Sequence, residues 1–354
     1  MISAMIDWNL VRRIAETIGG QGGEFDAPPG DLVAIAADSQ ERVLAYTRLV
    51  PLSAIPVPEM VTRQQWIEAN MRSMRPVLDR VGARVGAGMG VLGRPTRALT
   101  RALFSAQVGG LTGFLAQRVL GQYDLPLLDS TGAPRLLLVG PNLGSAAERL
   151  DADGEQLLHW VTLHEMTHAV QFGSVPWLRL HLAALLREVV DTLDMRIDTS
   201  KGLRVPSTTD LRELIDSVRK GELVTLVIGR ERRVLVDRIQ ATMAVIEGHA
   251  EHVMDAVGAE VIPTQASLRA ALERRRMNRS GPMRLLERVL GFELKLRQYR
   301  DGKRFCDTVV ERSGIEGLNR VWSAPHALPT LAELADPDAW IARATAPFVT
   351  KSET

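Results

Sequence analysis

The sequence predicts a mainly α-helical domain with a small β-hairpin or sheet next to its central helix. Three observations lead there. Leu, Ala, Val and Arg dominate while aromatic residues make up only 5% of the chain, a mixture that favours helix. Apolar residues recur at helical spacing around residues 154–172. They do so again in a long segment ending near Gly258 that carries no Gly or Pro from Glu231 to Glu247. Only one pair of short apolar runs flanks a turn-rich segment in the manner of a hairpin. With 354 residues, 45% of them hydrophobic, the chain can bury a sizeable core in one domain or two. The expectation is a single domain over 1–354. A helical N-terminal part, about 1–118, packs on a part, about 119–354, that carries the functional residues.

In chain order, residues 7–19 read as an amphipathic helix and the Gly/Pro/Asp-rich residues 20–30 as a loop. Trp66–Arg80 reads as a helix broken or kinked at Pro76. Gly82–Pro95 is glycine-rich and reads as flexible; it lacks the strand-turn context of a nucleotide-binding glycine loop. Ala102–Gln117 is uncharged but short and interrupted by three glycines. It is too broken to span a bilayer, which needs about 20 apolar residues, and reads as a buried hairpin or a helix packed closely through its glycines. Tyr123–Leu128 and Arg135–Val139 around residues 129–134 read as the hairpin. The chain then reads helical from Pro176 to Asp194, loop-like at 200–209 and helical over Leu211–Lys220. From Ala324 it forms an irregular tail ending in a short helix.

The segment most telling about chemistry is His164-Glu165-Met166-Thr167-His168. Residues four apart share a helix face, so both imidazoles aim at one point, as the first two ligands of a zinc ion do. Glu165 stands beside them, placed to take a proton from a metal-bound water. With seven histidines in the chain, such a pattern arises by chance on the order of once in a hundred sequences of this length. Asp153 with Gln156 reads as an N-cap and its reciprocal partner, and Gly173 and Pro176 as the stop, which puts the pattern mid-helix among apolar neighbours. The plainer reading is a core helix with two satisfied histidines.

A catalytic zinc site takes three protein ligands and keeps a position for water. The longer pattern H-E-x-x-H-x-x-G-x-x-H is absent, since Gln171 stands at its glycine and Ser174 at its third histidine, so the third ligand comes from elsewhere. The candidate cluster is Glu247-Gly248-His249-Ala250-Glu251-His252. Glu247 and Glu251 share one helix face, with Met254 and Asp255 nearby; His249 and His252 share another, and both faces cannot meet one ion. The glutamate face is favoured, with Glu247 as ligand and Glu251 holding the far nitrogen of a ligand histidine. Gly248, costly within a helix, suits a close approach of two backbones. His249 and His252, together with Tyr46, Tyr123 and Tyr299, are candidate donors to the oxyanion of a tetrahedral intermediate, and the sequence does not choose among them.

Two resemblances attach to these residues. The Glu247-Gly248 pair followed by Ala250 resembles the third-ligand helix of the gluzincin metallopeptidases, in which the glutamate before the glycine binds zinc; carried over, that glutamate is Glu247. The segments LGQYDLPL (120–127), RLLLVGPNL (135–143), HEMTHAVQF (164–172), PWLR (176–179), ELKLRQYRDG (293–302), LNRVW (318–322) and LPTLAELADPDAW (328–340) are similar to one narrow, mainly actinobacterial family of zincin-like proteins. Its members bear names of zinc-dependent metalloproteases or hydrolases, or of proteins associated with making a deazaflavin coenzyme. The resemblance implies a zincin-like helical domain, a zinc cofactor and a peptide or protein substrate. No residue supports the deazaflavin name.

Composition narrows the rest. A net charge of +1 selects no acidic partner globally. Arg269–Arg304 holds twelve Lys or Arg against four acidic residues, but without aromatic interleaving it reads as a solvated face and not a nucleic-acid site. Cys306, the single cysteine, rules out an internal disulfide and reads as a small buried hydrophobe in a reducing, cytoplasmic compartment. The N-terminus has no clean signal-peptide pattern and no membrane insertion is expected; the oligomeric state stays open. The function expected is zinc-dependent hydrolysis of a peptide bond with Glu165 as general base. The alternatives are an inactive, zinc-stabilised interaction module and a metal hydrolase of a non-peptide amide.

Overall fold

A computed structural model of the protein describes residues 5–20, 30–88, 94–129, 132–192, 230–277 and 292–345, with side chains at 85–88, 94–97, 230–233, 273–277 and 292–300 outside the description. The side chain of Tyr299, residues 200–209, the expected helix Leu211–Lys220 and most of the basic run therefore lie outside the described residues.

Helix α1 (Trp8–Gly19) starts where Asp7 accepts the N–H groups of Asn9 and Leu10, and α2 (Leu32–Thr47) where Asp31 does the same for Val33 and Ala34. No helix was anticipated over α2. Its buried stripe is Ile35, Ala36, Ser39, Val43 and Thr47, largely small or polar residues that give a weak apolar signal. Strand β1 (Pro58–Val61) leads into α3 (Arg63–Gly88), which continues through Pro76 instead of breaking there. Residues 82–88, expected to be flexible, are its last turns; Gly82 packs on Met5 and Ile6, where a Cβ would meet Met5 Cβ at 3.1 Å. The glycine-rich apolar stretch is helix α4 (Arg94–Ala116), laid against α1. A Cβ on Gly109 would stand 2.7 Å from the Val11 carbonyl oxygen, and one on Gly113 2.5 Å from that of Ala15. Close backbone contact is why this helix uses glycine.

The hairpin consists of β2 (Gly121–Asp124) and β3 (Arg135–Val139), antiparallel, with Tyr123 opposite Leu136. Its first strand lies earlier than expected, ending at Asp124, because Pro126 brings no N–H to a ladder. Strand β1 pairs in parallel with the other side of β3, so the sheet order is β1-β3-β2. Short, and begun by Pro58 just after Pro56, β1 gives no alternating pattern to read. Strand β3 is buried on both faces: Leu136 and Leu138 join the core with α2, α5 (Gly140–Leu150) and α6 (Gly154–Ser174), while Leu137 and Val139 join that of α1, α3 and α4.

Helix α7 (Pro176–Asp191) follows α6 with Pro176 in its first turn, and Arg179 from it donates to the carbonyls of Pro126, Asp129 and Gly132 in the hairpin connection. Helices α8 (Arg230–Gly258), α9 (Gln265–Met277) and α10 (Phe292–Asn319, interrupted at Gly314, φ 67°) complete the body. The tail is more ordered than expected. Short 3₁₀ turns precede α11 (Leu331–Ala335), begun by a capping box between Thr330 and Glu333, and α12 (Pro337–Thr345). A further core of Leu178, Val245, Phe305, Trp322 and Trp340 binds α7, α8, α10 and this tail.

The crossing of α8 over α10 positions the site. A Cβ on Gly248 would lie 2.2 Å from the Gly302 carbonyl carbon, and one on Gly302 1.9 Å from the Ala244 oxygen. The close approach anticipated at Gly248 is thus present, and its counterpart is a second glycine. Among the described residues no helix is long and apolar enough to cross a membrane.

Candidate metal centre

Helix α6 begins as half of the expected capping box. Asp153 accepts the Gln156 N–H at 2.9 Å, but the Gln156 amide oxygen turns away to the Thr264 N–H and hydroxyl, 3.1 and 2.6 Å off. The reciprocal bond gives way to one that ties α6 to the segment between α8 and α9. From this start the helix carries His164, Glu165 and His168 into its buried middle.

His164, His168 and Glu247 converge. The two histidine Nε2 atoms are 3.3 Å apart, and Glu247 Oε2 stands 3.8 Å from His164 Nε2 and 3.6 Å from His168 Nε2. An ion with tetrahedral ligands at about 2.0–2.1 Å sets those ligands about 3.3–3.4 Å apart, so three donors already stand near the edges of such a tetrahedron. Two imidazole nitrogens and a carboxylate are the donor types zinc prefers in hydrolytic sites. Among the described residues this is the group of His, Cys, Asp and Glu able to hold a metal, and no fourth such side chain joins it. Exposure is uneven: the side chain of His168 is 8% exposed, those of His164 and Glu247 are 25% and 21%. The cluster is closed on the His168 side and open on the other.

Glu165 is buried beside the cluster, where its Oε2 accepts the backbone N–H of Tyr123 at 2.7 Å. Gly121 permits this contact: a Cβ there would come within 2.5 Å of Val161 Cγ1 and 2.9 Å of Glu165 Cγ. Burial, helped by the Glu247 carboxylate and opposed by His168 and the Tyr123 N–H, pushes the Glu165 pKa up to about 7. Burial lowers the pKa of His168, but Glu247 outweighs it and the net shift is upward. His164 Nδ1 faces the Met254 sulfur at 3.2 Å. With the proton on Nδ1 donated to that weak acceptor, Nε2 presents a lone pair to the shared centre.

The remaining candidates separate. Glu251 is half-buried one turn along α8 from Glu247; of the two ligand histidines whose far nitrogen it was expected to hold, His168 has no hydrogen-bond partner at Nδ1. His249 lies with no exposed surface, edge-on to Trp322 at 5.4 Å between ring centroids, and burial holds its pKa down at about 3. It is a core residue in this structure and not a cleft donor. The Tyr123 ring stacks on Phe172, and burial pushes its phenol up to about 12; its backbone N–H is what bonds Glu165.

His252 is held at both ends, with Nδ1 2.8 Å from Asp307 Oδ1 and Nε2 2.7 Å from the Tyr46 hydroxyl. Helix α2 and the segment that follows it run in the same direction as α6: Asp38 of α2 pairs with His159, and Leu52, five residues past the helix end, donates to the Gly173 carbonyl. Tyr46, about two turns beyond Asp38, is therefore level with Thr167 and His168. Asp307 and Met254 were not assigned roles from the sequence. Asp307 becomes visible only when α10 docks, and a methionine near a helix end has no signature of its own.

Comparison with known proteins gives the family and a solved structure of similar fold. A family model described as zincin-like metallopeptidase matches residues 6–341. A crystal structure from Chloroflexus aurantiacus, of a protein described as a candidate hydrolase with a novel fold, superposes with a TM-score of 0.70 at 30% identity. The match covers 96% of this chain and 98% of that one. Curated protein sequences gave no match.

Proposed function

The chain belongs to the zincin-like metallopeptidase family, and from that premise we propose that it hydrolyses peptide bonds at a zinc ion held by His164, His168 and Glu247. The observation that carries the reading is the three-donor cluster, sealed behind His168 and open to solvent at His164 and Glu247. A closed structural site would call for a fourth protein ligand. A zinc ion there would supply Lewis-acid polarisation of the scissile carbonyl and an acidified water.

The chain's own groups do the rest. Glu165 is the general base. Tyr123 N–H occupies Oε2, which leaves Oε1 to take the proton of the attacking water and pass it to the departing amine. A pKa near 7 suits a group that must both accept and release a proton. Tyr46 donates to the oxygen that gains charge. Asp307 accepts from His252 Nδ1 and fixes the ring, whose Nε2 lies 2.7 Å from the Tyr46 oxygen and holds that hydroxyl in place. A peptide is favoured as substrate because β2 is an edge strand. The Tyr123 N–H points away from β3 toward Glu165, and in an extended strand the carbonyl of the same residue points the same way.

The test combines metal analysis with cleavage of a peptide library. One zinc per chain, lost in the His168→Ala variant, together with cleavage lost in Glu165→Gln, supports the reading. Stoichiometric zinc with no cleavage of any peptide or model amide overturns it in favour of a zinc-stabilised module, and cleavage of non-peptide amides alone overturns the substrate assignment.

A further inference from the structure

Behind the metal cluster the molecule leaves an imbalance of polar groups. His168 Nδ1 is buried and without a hydrogen-bond partner. Gln171 has no exposed surface, and both its amide nitrogen and its amide oxygen are likewise without partners. The two residues are three apart on α6, which puts them on one face of the same helix, and the amide stands near enough to the imidazole to interact as a hydrogen-bond partner, although their geometry falls short of a well-formed bond. An unpaired buried polar group forfeits its hydration without recovering a hydrogen bond, so three in one place are rarely left unmet.

The far nitrogen of a metal-bound histidine ordinarily donates to an oxygen, which fixes the tautomer and aims the ring. His164 meets Met254 there. Glu251 does not reach His168 Nδ1, and His249 is a buried ring with no hydrogen-bond partner of its own. Gln171 carries the amide oxygen in place for the task.

We infer that Gln171 is the positioning residue of the metal site: its Oε1 accepts the proton on His168 Nδ1 and holds Nε2 as a lone pair facing His164 and Glu247. A small rotation of the Gln171 side chain turns two of the three unmet atoms into one hydrogen bond. The inference rests on the metal reading of the cluster, and it makes a separate statement about the metal-free protein.

Two variants test it. Gln171→Met keeps the length of the side chain and removes the acceptor; Gln171→Glu keeps an acceptor oxygen. In chelator competition, Gln171→Met loses about 10–100-fold in zinc affinity, while Gln171→Glu holds zinc as wild type does. In metal-free protein labelled with ¹⁵N-histidine, wild-type His168 is protonated at Nδ1 and Gln171→Met shifts it toward a mixture of tautomers. Thermal melting shows that the variants are folded. Equal zinc affinity in wild type and Gln171→Met overturns the inference, as does an equal loss in both variants, which would assign Gln171 to packing. If wild-type protein takes up no zinc, the metal reading fails by itself and the tautomer measurement alone decides the role of Gln171.

Discussion

Replacing Gly302 with alanine is a demanding test of how α8 is held. The new Cβ would start 1.9 Å from the Ala244 oxygen and 2.6 Å from its carbonyl carbon. Ordinary contact begins at 3.4 Å, so the helices must part by about 1.5 Å (3.4 − 1.9). No flexible side chain absorbs the strain, since backbone stands on both sides. Overpacking costs about 1–3 kcal/mol where side chains can yield, so the expected loss is at or above about 3 kcal/mol. For a chain this long, that lowers the melting temperature by roughly 5 °C or more. The displacement also reaches the metal centre, because Glu247 is three residues from Ala244 on the same helix. Metal ligands tolerate about 0.2 Å of misplacement, so zinc affinity falls by at least about tenfold. The assays are thermal melting of metal-free protein and chelator competition for zinc. The control is Gly144→Ala on α5, where a Cβ meets nothing within 4 Å and stability rises by about 0.5–1 kcal/mol. If Gly302→Ala melts within about 2 °C of wild type and binds zinc equally well, the close crossing is not what holds α8 in place.

Four further outcomes are expected. Glu165→Gln keeps its zinc and loses about 10²–10⁴-fold in turnover, read from single-turnover cleavage beside metal analysis. Tyr46→Phe lowers kcat by about 10²–10³-fold with zinc content unchanged; a drop in zinc instead would make Tyr46 structural. In metal-free protein the Glu165 carboxyl titrates near 7, measurable by infrared difference spectroscopy against Glu165→Gln, and zinc moves that titration lower because a cation favours the carboxylate. The folded-state pKa is raised, so the stability Glu165 contributes relative to the glutamine variant is full below its ordinary value of 4.5. It is lost progressively as pH rises to about 7; a difference that grows with pH reverses the sign and the argument.

The sequence made the local part of this molecule legible. Two histidines four apart announce their own geometry, and a glycine in mid-helix beside a glutamate announces a close neighbour. It could not say which neighbour: Gly302 sits in a helix without a motif and is meaningful only against Ala244. The Tyr46–His252–Asp307 chain was invisible for the same reason, since its members come from three helices brought together by folding. The capping box was half right because Thr264, more than a hundred residues away, competed for the Gln156 amide oxygen. Helix α2 escaped because its buried stripe includes Ser39 and Thr47, and β1 because four residues beginning at a proline carry no period.

Strand β3 has a consequence for how the polypeptide can be divided. Its side chains alternate between two interiors, one belonging to the histidine-bearing helix and the other to α1, α3 and α4. Sliding it by a single position would exchange those interiors and carry the amide of Tyr123 off the carboxylate it steadies. Deleting the opening hundred or so amino acids would strip one side of that ribbon bare. The N-terminal portion thus covers one face of the sheet that steadies Glu165, and a fragment beginning just before the hairpin should neither stay in solution nor keep that carboxylate in position.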